Sequence, residues 1–215
     1  MIVTELSKGI KLYLLVGGKG TRLSSITNGL PKPFVDVQGK PFIERVLENL
    51  SGFDVTLVCS DLNYDYFKNL KVDVFNEGEP SGTGGFLSKI DSPECFYVMN
   101  GDTFYSGDLN LDCDKSTIFV SEEKIKGDEG YILGRDGKVE TYIEKNIFSM
   151  GETHFVNLGI YKIYKKDLFL PKRFPISIEY DILNDMPLEY KVLNTNRFDI
   201  GTPERLEKFK LWFST

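Results

Sequence analysis

The chain has 215 residues, 41% of them hydrophobic, enough to bury a substantial core, which excludes a disordered segment. Its formal net charge of −6 excludes broad, non-specific nucleic-acid binding, because that needs a basic surface to neutralise many phosphates. The opening MIVTELSKGIKLYLLV mixes Glu5 and lysines with an apolar run far shorter than the ~20 residues of a membrane span. A soluble, cytoplasmic protein with no membrane partner is expected.

In chain order, KLYLLV reads as a buried strand, and PFIERVLENL places Phe42, Ile43, Val46, Leu47 and Leu50 at helical spacing. DVTLVCS is a second strand, NYDYFKNL a short helix, KVDVFN a third strand, GFLSKI the start of another helix and CFYVMN a fourth strand. Strands separated by helices imply a parallel sheet with right-handed crossovers. Beyond it, STIFVSEE, GYILGRDGKVETYIEK and HFVNLGIYKIY are rich in β-branched and aromatic residues, and RDGK is a hairpin turn signal. The last element, FDIGTPERLEKFKLWF, has Thr202 as N-cap, Pro203 at the first helical position, and Leu206, Phe209 and Phe213 on one face.

The expected fold is therefore α/β: a Rossmann-like, mixed, mostly parallel sheet flanked by helices, with a small antiparallel extension. One domain over 1–215 is expected, with halves of about 1–110 and 111–215. Cys59, Cys95 and Cys113 are odd in number and lack metal or disulfide spacing, so buried free thiols are predicted. The single His154 has no partner pattern for nucleophilic catalysis, which leaves a structural or substrate-contacting role.

In open α/β sheets ligands bind beyond the carboxyl ends of the strands. There the chain offers VGGKGTRL, in which Gly17, Gly18 and Gly20 let a phosphate approach backbone amides while Lys19 and Arg22 add positive charge. The spacing excludes two familiar phosphate motifs: no Ser or Thr follows Lys19 directly, and Leu23 stands where a dinucleotide fingerprint needs glycine. Next, Lys32 lies between two prolines that restrict its backbone, a plausible second phosphate contact.

GGKGTRL followed by PKP resembles the signature of the sugar-phosphate nucleotidyltransferases, which join a nucleoside triphosphate to a sugar 1-phosphate and release pyrophosphate. EPSGTGG, NGDTFY, IEK, VNLGIY, SIEYDIL and FDIGTPE follow in the order this family places them. The length and the GTGG, SxExD and DIGTPE elements look most similar to the D-glycero-α-D-manno-heptose 1-phosphate guanylyltransferases. The resemblance implies a nucleotide-diphospho-sugar transferase fold and a Mg²⁺ cofactor held by Asp102 and Asp199. It implies that Val16, Gly17, Gly18, Gly20, Thr21, Gly82, Thr83 and Gly101 bind the nucleotide. It gives charge neutralisation to Arg22, Lys32 and Lys145, and sugar contacts to Glu144, Asn157 and Gly159.

The chemistry of the residues runs beside this. Attack of a sugar-phosphate oxygen on the α-phosphorus asks the protein mainly to position groups and neutralise charge, and needs no protein nucleophile. Glu77 or Glu79 can accept hydrogen bonds from guanine N1–H and its exocyclic amine, a paired donor that uracil and thymine lack. Glu179 and Asp181 report either the sugar pocket or the cap of a helix beginning after Ser177. Asp108, in SGDLN, reads as a turn residue. Val16 and Ser81 depart from the Ala and Leu that the family pattern has at these places, which bears on base and sugar. Mannose, glucose or other sugar 1-phosphates with GTP, CTP, UTP or dTTP stay open as substrates. So do a non-catalytic nucleotide- or sugar-phosphate-binding regulator and a homodimer.

Overall fold

The computed structural model describes residues 9–18, 23, 27, 29–107, 109–124, 129–143 and 153–214. Strand β1 (Lys11–Leu15) lies between β4 (Asp54–Cys59) and β6 (Cys95–Asn100), and β5 (Asp73–Asn76) continues the parallel set outside β4. Leu12 and Leu14 in β1 and Phe96, Val98 and Met99 in β6 are fully buried, as near-continuous apolar runs must be when both faces of a parallel sheet are covered.

Three connections differ in how much helix their sequence supports. Between β1 and β4 come the short strands β2 (Asp36–Val37) and β3 (Lys40–Pro41), then α1 (Phe42–Asn49), whose Phe42, Ile43 and Val46 face the core. Between β4 and β5 lies a one-turn helix, α2 (Tyr64–Phe67). The helix expected at GFLSKI is a correction: it is a single tight turn, Gly85–Ser88. Two successive glycines precede Phe86 and Pro93 follows soon after, so only one turn of chain is free to coil.

β6 leads through Gly101 and Asp102 into β7 (Thr103–Ser106). β8 (Thr117–Lys124), the hairpin strands β9 (Tyr131–Arg135) and β10 (Lys138–Ile143), and the long β11 (Thr153–Tyr164) extend the same sheet. β11 is antiparallel to β6 and β8, and the hairpin turn is made by Asp136 and Gly137 with φ of 51° and 78°, as its RDGK sequence predicts. β12 (Glu189–Val192) inserts parallel to β8, giving nine strands in the order β5-β4-β1-β6-β11-β8-β12-β10-β9. The sheet is mixed as expected, parallel through its first four strands, with the antiparallel part continuing it.

The chain then returns to the first half. β13 (Asn196–Asp199) pairs antiparallel with β7, setting Asp199 opposite Thr103, and α3 (Pro203–Phe213) follows, capped by the Thr202 hydroxyl accepting from the Arg205 N–H. Leu206 and Phe209 of α3 are fully buried, and the Phe209 ring packs on Phe42 and Phe104. One face of the sheet thus packs on α1 and α3; the other buries Tyr13, Phe86, Phe96, Ile118 and Tyr161 beneath Ile176, Ile178 and Ile182. Cys59 is buried and Cys95 and Cys113 are half-buried; all three thiols are free. His154 lies against the Tyr131 ring at 4.4 Å between centroids. No helix among the described residues is long and apolar enough to cross a membrane.

Candidate active site

A cavity of about 540 Å³ opens at the carboxyl ends of β1, β4 and β6. Its floor is Leu15, Val16, Gly17 and Gly18 with Val58, Asn100 and Gly101. The Val16 N–H donates to Val58 O and the Gly101 N–H to Leu15 O, both at 2.9 Å, which carries the sheet hydrogen bonding right up to the opening. A Cβ on Gly101 would stand 2.6 Å from Leu15 O and from Val16 Cγ1, so this crossing admits glycine alone.

At one end stands the tight turn Lys32–Phe34, entered through Pro31 and fixed by Pro33. It aims the Lys32 side chain, only 11% exposed, at Asp102, with Nζ 2.7 Å from Oδ2. The Thr103 hydroxyl donates to the other oxygen of Asp102 at 3.1 Å. Asp199 sits across the β7–β13 pair, where its carboxylate accepts the Gly201 N–H at 2.8 Å and two bonds from Arg205 Nη1 at 2.9 and 3.2 Å. A Cβ on Gly201 would lie 2.6 Å from Asp199 Oδ1 and 3.7 Å from Lys32 Nζ; its absence keeps open the space between that carboxylate and the ammonium.

The opposite end is built by the 81–84 loop, which is stitched to a segment of the second half. Ile176 N–H donates to Ser81 O and Gly84 N–H to Ile176 O, both at 2.9 Å, and Ile178 N–H donates to the Thr83 hydroxyl at 2.9 Å. The Thr83 hydroxyl in turn donates to Glu179 Oε2 at 3.1 Å. Glu179 also accepts from the Ser177 hydroxyl at 3.0 Å and from the Tyr161 phenol at 3.1 Å. Burial first, and the Glu179 charge second, push the Tyr161 phenol well above its ordinary range, so it stays a donor to that carboxylate. Asn157 Nδ2 donates to the Tyr161 oxygen at 2.8 Å, which extends the chain of bonds into β11.

Of the residues singled out in the sequence, Val16, Gly17, Gly18, Lys32, Glu77, Gly82, Thr83, Gly101, Asp102 and Glu179 line the cavity. Asp199 stands behind Gly201 at its rim. Glu79 is exposed on the loop and does not line the cavity. Asp181 is engaged elsewhere, by the Ser177 N–H and by Arg173, both at 2.8 Å, which gives it the cap alternative. Asn157 and Gly159 form a bulge in β11 behind the cavity, where Gly159 has φ +72° and leaves no room for a Cβ beside Asn100 Nδ2, 2.4 Å away. Gly20, Thr21, Arg22, Asp108, Glu144 and Lys145 lie outside the described residues.

Four residues were missed as contributors. Asn100 stands in the NGD run and lines the floor; Ser81 was noted as a departure and its buried hydroxyl donates to Glu77. Tyr161 closes the VNLGIY run without a role read for it there, and Arg205 carried no signal beyond its place in a helix; the partners of both are reached through the fold.

Among the described residues no three His, Cys, Asp or Glu side chains gather as a metal cage. At the Lys32 end stand two carboxylates, Asp102 in the turn before β7 and Asp199 at the end of β13. This donor set suits Mg²⁺, which takes one or two carboxylates and completes its shell with phosphates and waters.

Comparison with known proteins places the chain in a family. A family model described as a MobA-like NTP transferase domain matches residues 12–106. The D-glycero-alpha-D-manno-heptose 1-phosphate guanylyltransferase of Campylobacter jejuni subsp. jejuni serotype O:2 is 31% identical, with 91% of this chain and 96% of that protein covered. Its counterpart from Aneurinibacillus thermoaerophilus is 30% identical, with 93% and 96% covered. Among solved structures, HddC from Yersinia pseudotuberculosis superposes with a TM-score of 0.77 at 31% identity, covering 95% of this chain and 99% of that one. The same protein complexed with GMP-PN gives 0.76 at 30% identity, with the same coverage. The nucleotide-diphospho-sugar transferase fold expected from the sequence is the one found.

Proposed function

The chain belongs to the sugar-phosphate nucleotidyltransferase family, and from that premise we propose that it joins GTP to D-glycero-α-D-manno-heptose 1-phosphate, releasing pyrophosphate. The observation that carries this reading is a single cavity with Glu77, Gly82 and Thr83 at one end and Lys32, Asp102 and the Asp199 carboxylate behind Gly201 at the other. A nucleotide spans such a site with its base at the first end and its phosphates at the second.

In this reading Glu77 accepts N1–H and the exocyclic amine of guanine, while the open backbone of Gly82 lets the flat base lie close. Gly17, Gly18 and Gly101 bring backbone to the phosphates, and Arg22 joins them from outside the described residues. Asp102 and Asp199 would hold Mg²⁺, and the ion when bound would supply charge neutralisation and electrophilic polarisation at the phosphates. Lys32, already paired with Asp102, neutralises phosphate charge that develops as the sugar-phosphate oxygen adds and pyrophosphate departs in line. Glu144, Lys145 and the Glu179–Tyr161–Asn157 chain serve the sugar phosphate. We read 1–215 as one such domain, since one sheet runs through both halves, and place it in the cytoplasm, where its three free thiols and a triphosphate substrate fit.

Pyrophosphate release measured over a panel of triphosphates and sugar 1-phosphates tests the reading. GTP with the heptose phosphate should exceed every other pair. A better pair would move the substrate within the family. No release with any pair, beside measurable nucleotide binding, would instead favour a non-catalytic regulator.

A further inference from the structure

We propose that Ser81 is a positioning residue for base selection, whose buried hydroxyl fixes the Glu77 carboxylate in the orientation that reads guanine. The inference rests on the assignment of Glu77 to guanine made above. Ser81 is 5% exposed and does not line the cavity, whereas Glu77 does. The Ser81 hydroxyl donates to Glu77 Oε2 from beneath.

Both ends of this contact are held. The Glu77 N–H donates to Cys59 O at 2.9 Å, and its carbonyl accepts from Lys89 Nζ at 2.5 Å, so the backbone that carries the carboxylate is clamped on either side. Ser81 O accepts the Ile176 N–H at 2.9 Å, which fixes the hydroxyl's own base. Gly85 makes the room: a Cβ there would stand 2.3 Å from Ser81 Oγ and 2.4 Å from Ser81 Cβ.

The recognition task explains why such clamping matters. The N1–H and amine of guanine point the same way, and a carboxylate accepts both only when its plane is turned toward the base edge. Glu carries three rotatable bonds, and each must be stilled on binding unless it is stilled beforehand. One hydroxyl bond on Oε2 does this and leaves lone pairs on both oxygens for the base.

Equilibrium binding of GTP and of ITP, which lacks the exocyclic amine, with Mg²⁺ present, reads the effect without the sugar substrate. The unaltered protein should prefer GTP, and Glu77→Gln should abolish the preference. Ser81→Ala should lower it about tenfold, the scale of one lost hydrogen bond to a charged group. Gly85→Ala, which crowds the hydroxyl without removing it, should lower it too, and so covers a Ser81→Ala protein that fails to fold. Ser81→Ala in the Glu77→Gln background should change nothing further. If the unaltered protein shows no preference, the guanine assignment falls and this inference with it. If Glu77→Gln abolishes the preference while Ser81→Ala and Gly85→Ala keep it, or if Ser81→Ala acts equally without the Glu77 carboxylate, the role of Ser81 alone is overturned.

Discussion

Asp102 and Lys32 meet at 2.7 Å although 70 residues separate them in the chain, and each owes its place to a local feature. Asp102 lies in the turn from β6 to β7, directly after a glycine that nothing larger can replace, and Lys32 is held by prolines on both sides. Asp102→Asn keeps the shape but removes a carboxylate charge from the phosphate end. It should lower turnover by at least about a thousandfold while leaving the thermal midpoint near that of the parent, since metal-borne charge stabilisation amounts to several kcal/mol. Near-normal turnover would remove Asp102 from the metal assignment.

Three buried acids set a second expectation at this scale. Burial pushes the Cys59 thiol up to about 11, with the Glu77 and Asp61 carboxylates adding to it, and burial likewise raises the Tyr105 and Tyr161 phenols. In the unfolded chain these groups ionise first, so from about pH 9 upward the unfolded state binds fewer protons and stability falls as pH rises. Thermal midpoints taken from pH 8 to 11 should decline steadily; a flat profile would contradict these burials. Lys32 and Asp102 were legible because each stands in a short run with a distinctive spacing, while Glu77 was separated from Glu79 only by the cavity lining. The roles of Arg205 and Tyr161 were not legible, since an arginine in a helix looks the same whatever it touches and the VNLGIY run that ends at Tyr161 does not tell what its phenol meets.

The strands β1, β4, β5, β6 and β8 to β11 were legible because their apolar, β-branched and aromatic runs leave few alternatives, whereas the short β2, β3, β7, β12 and β13 carry no such run. The turn at Gly85–Ser88 was not, as Phe86 and Leu87 carry the apolar signal of a helix while the flanking glycines and Pro93 deny it length. Equally hidden was the stitching of the 81–84 loop to Ile176, Ile178 and Glu179, because Gly82 tells of a special backbone but not of what approaches it. Gly82 has φ +87°, and a Cβ there would lie 2.2 Å from Ile176 O. Gly82→Ala should therefore destabilise the protein by at least about 1 kcal/mol and weaken GTP binding more than tenfold. Chemical denaturation and nucleotide titration check the two effects, and unchanged binding would mean that this loop does not meet the base.

Across the whole molecule, the site depends on chain segments that arrive from both halves. The parallel strands supply the floor, β13 returns to set Asp199 beside β7, and Glu179 reaches the 81–84 loop through Thr83. Local pattern gave the α/β class and the longer strands in their chain order. The insertion of β12 beside β8 and the return of β13 depend on pairings between distant segments, which no window of sequence carries. The most direct test of nucleotidyl transfer is where the bond breaks in the triphosphate. With GTP labelled at its α-phosphorus and D-glycero-α-D-manno-heptose 1-phosphate, the label should pass into a sugar nucleotide while unlabelled pyrophosphate is released. Label that stays in free GDP or GMP, with no sugar nucleotide formed, would contradict it.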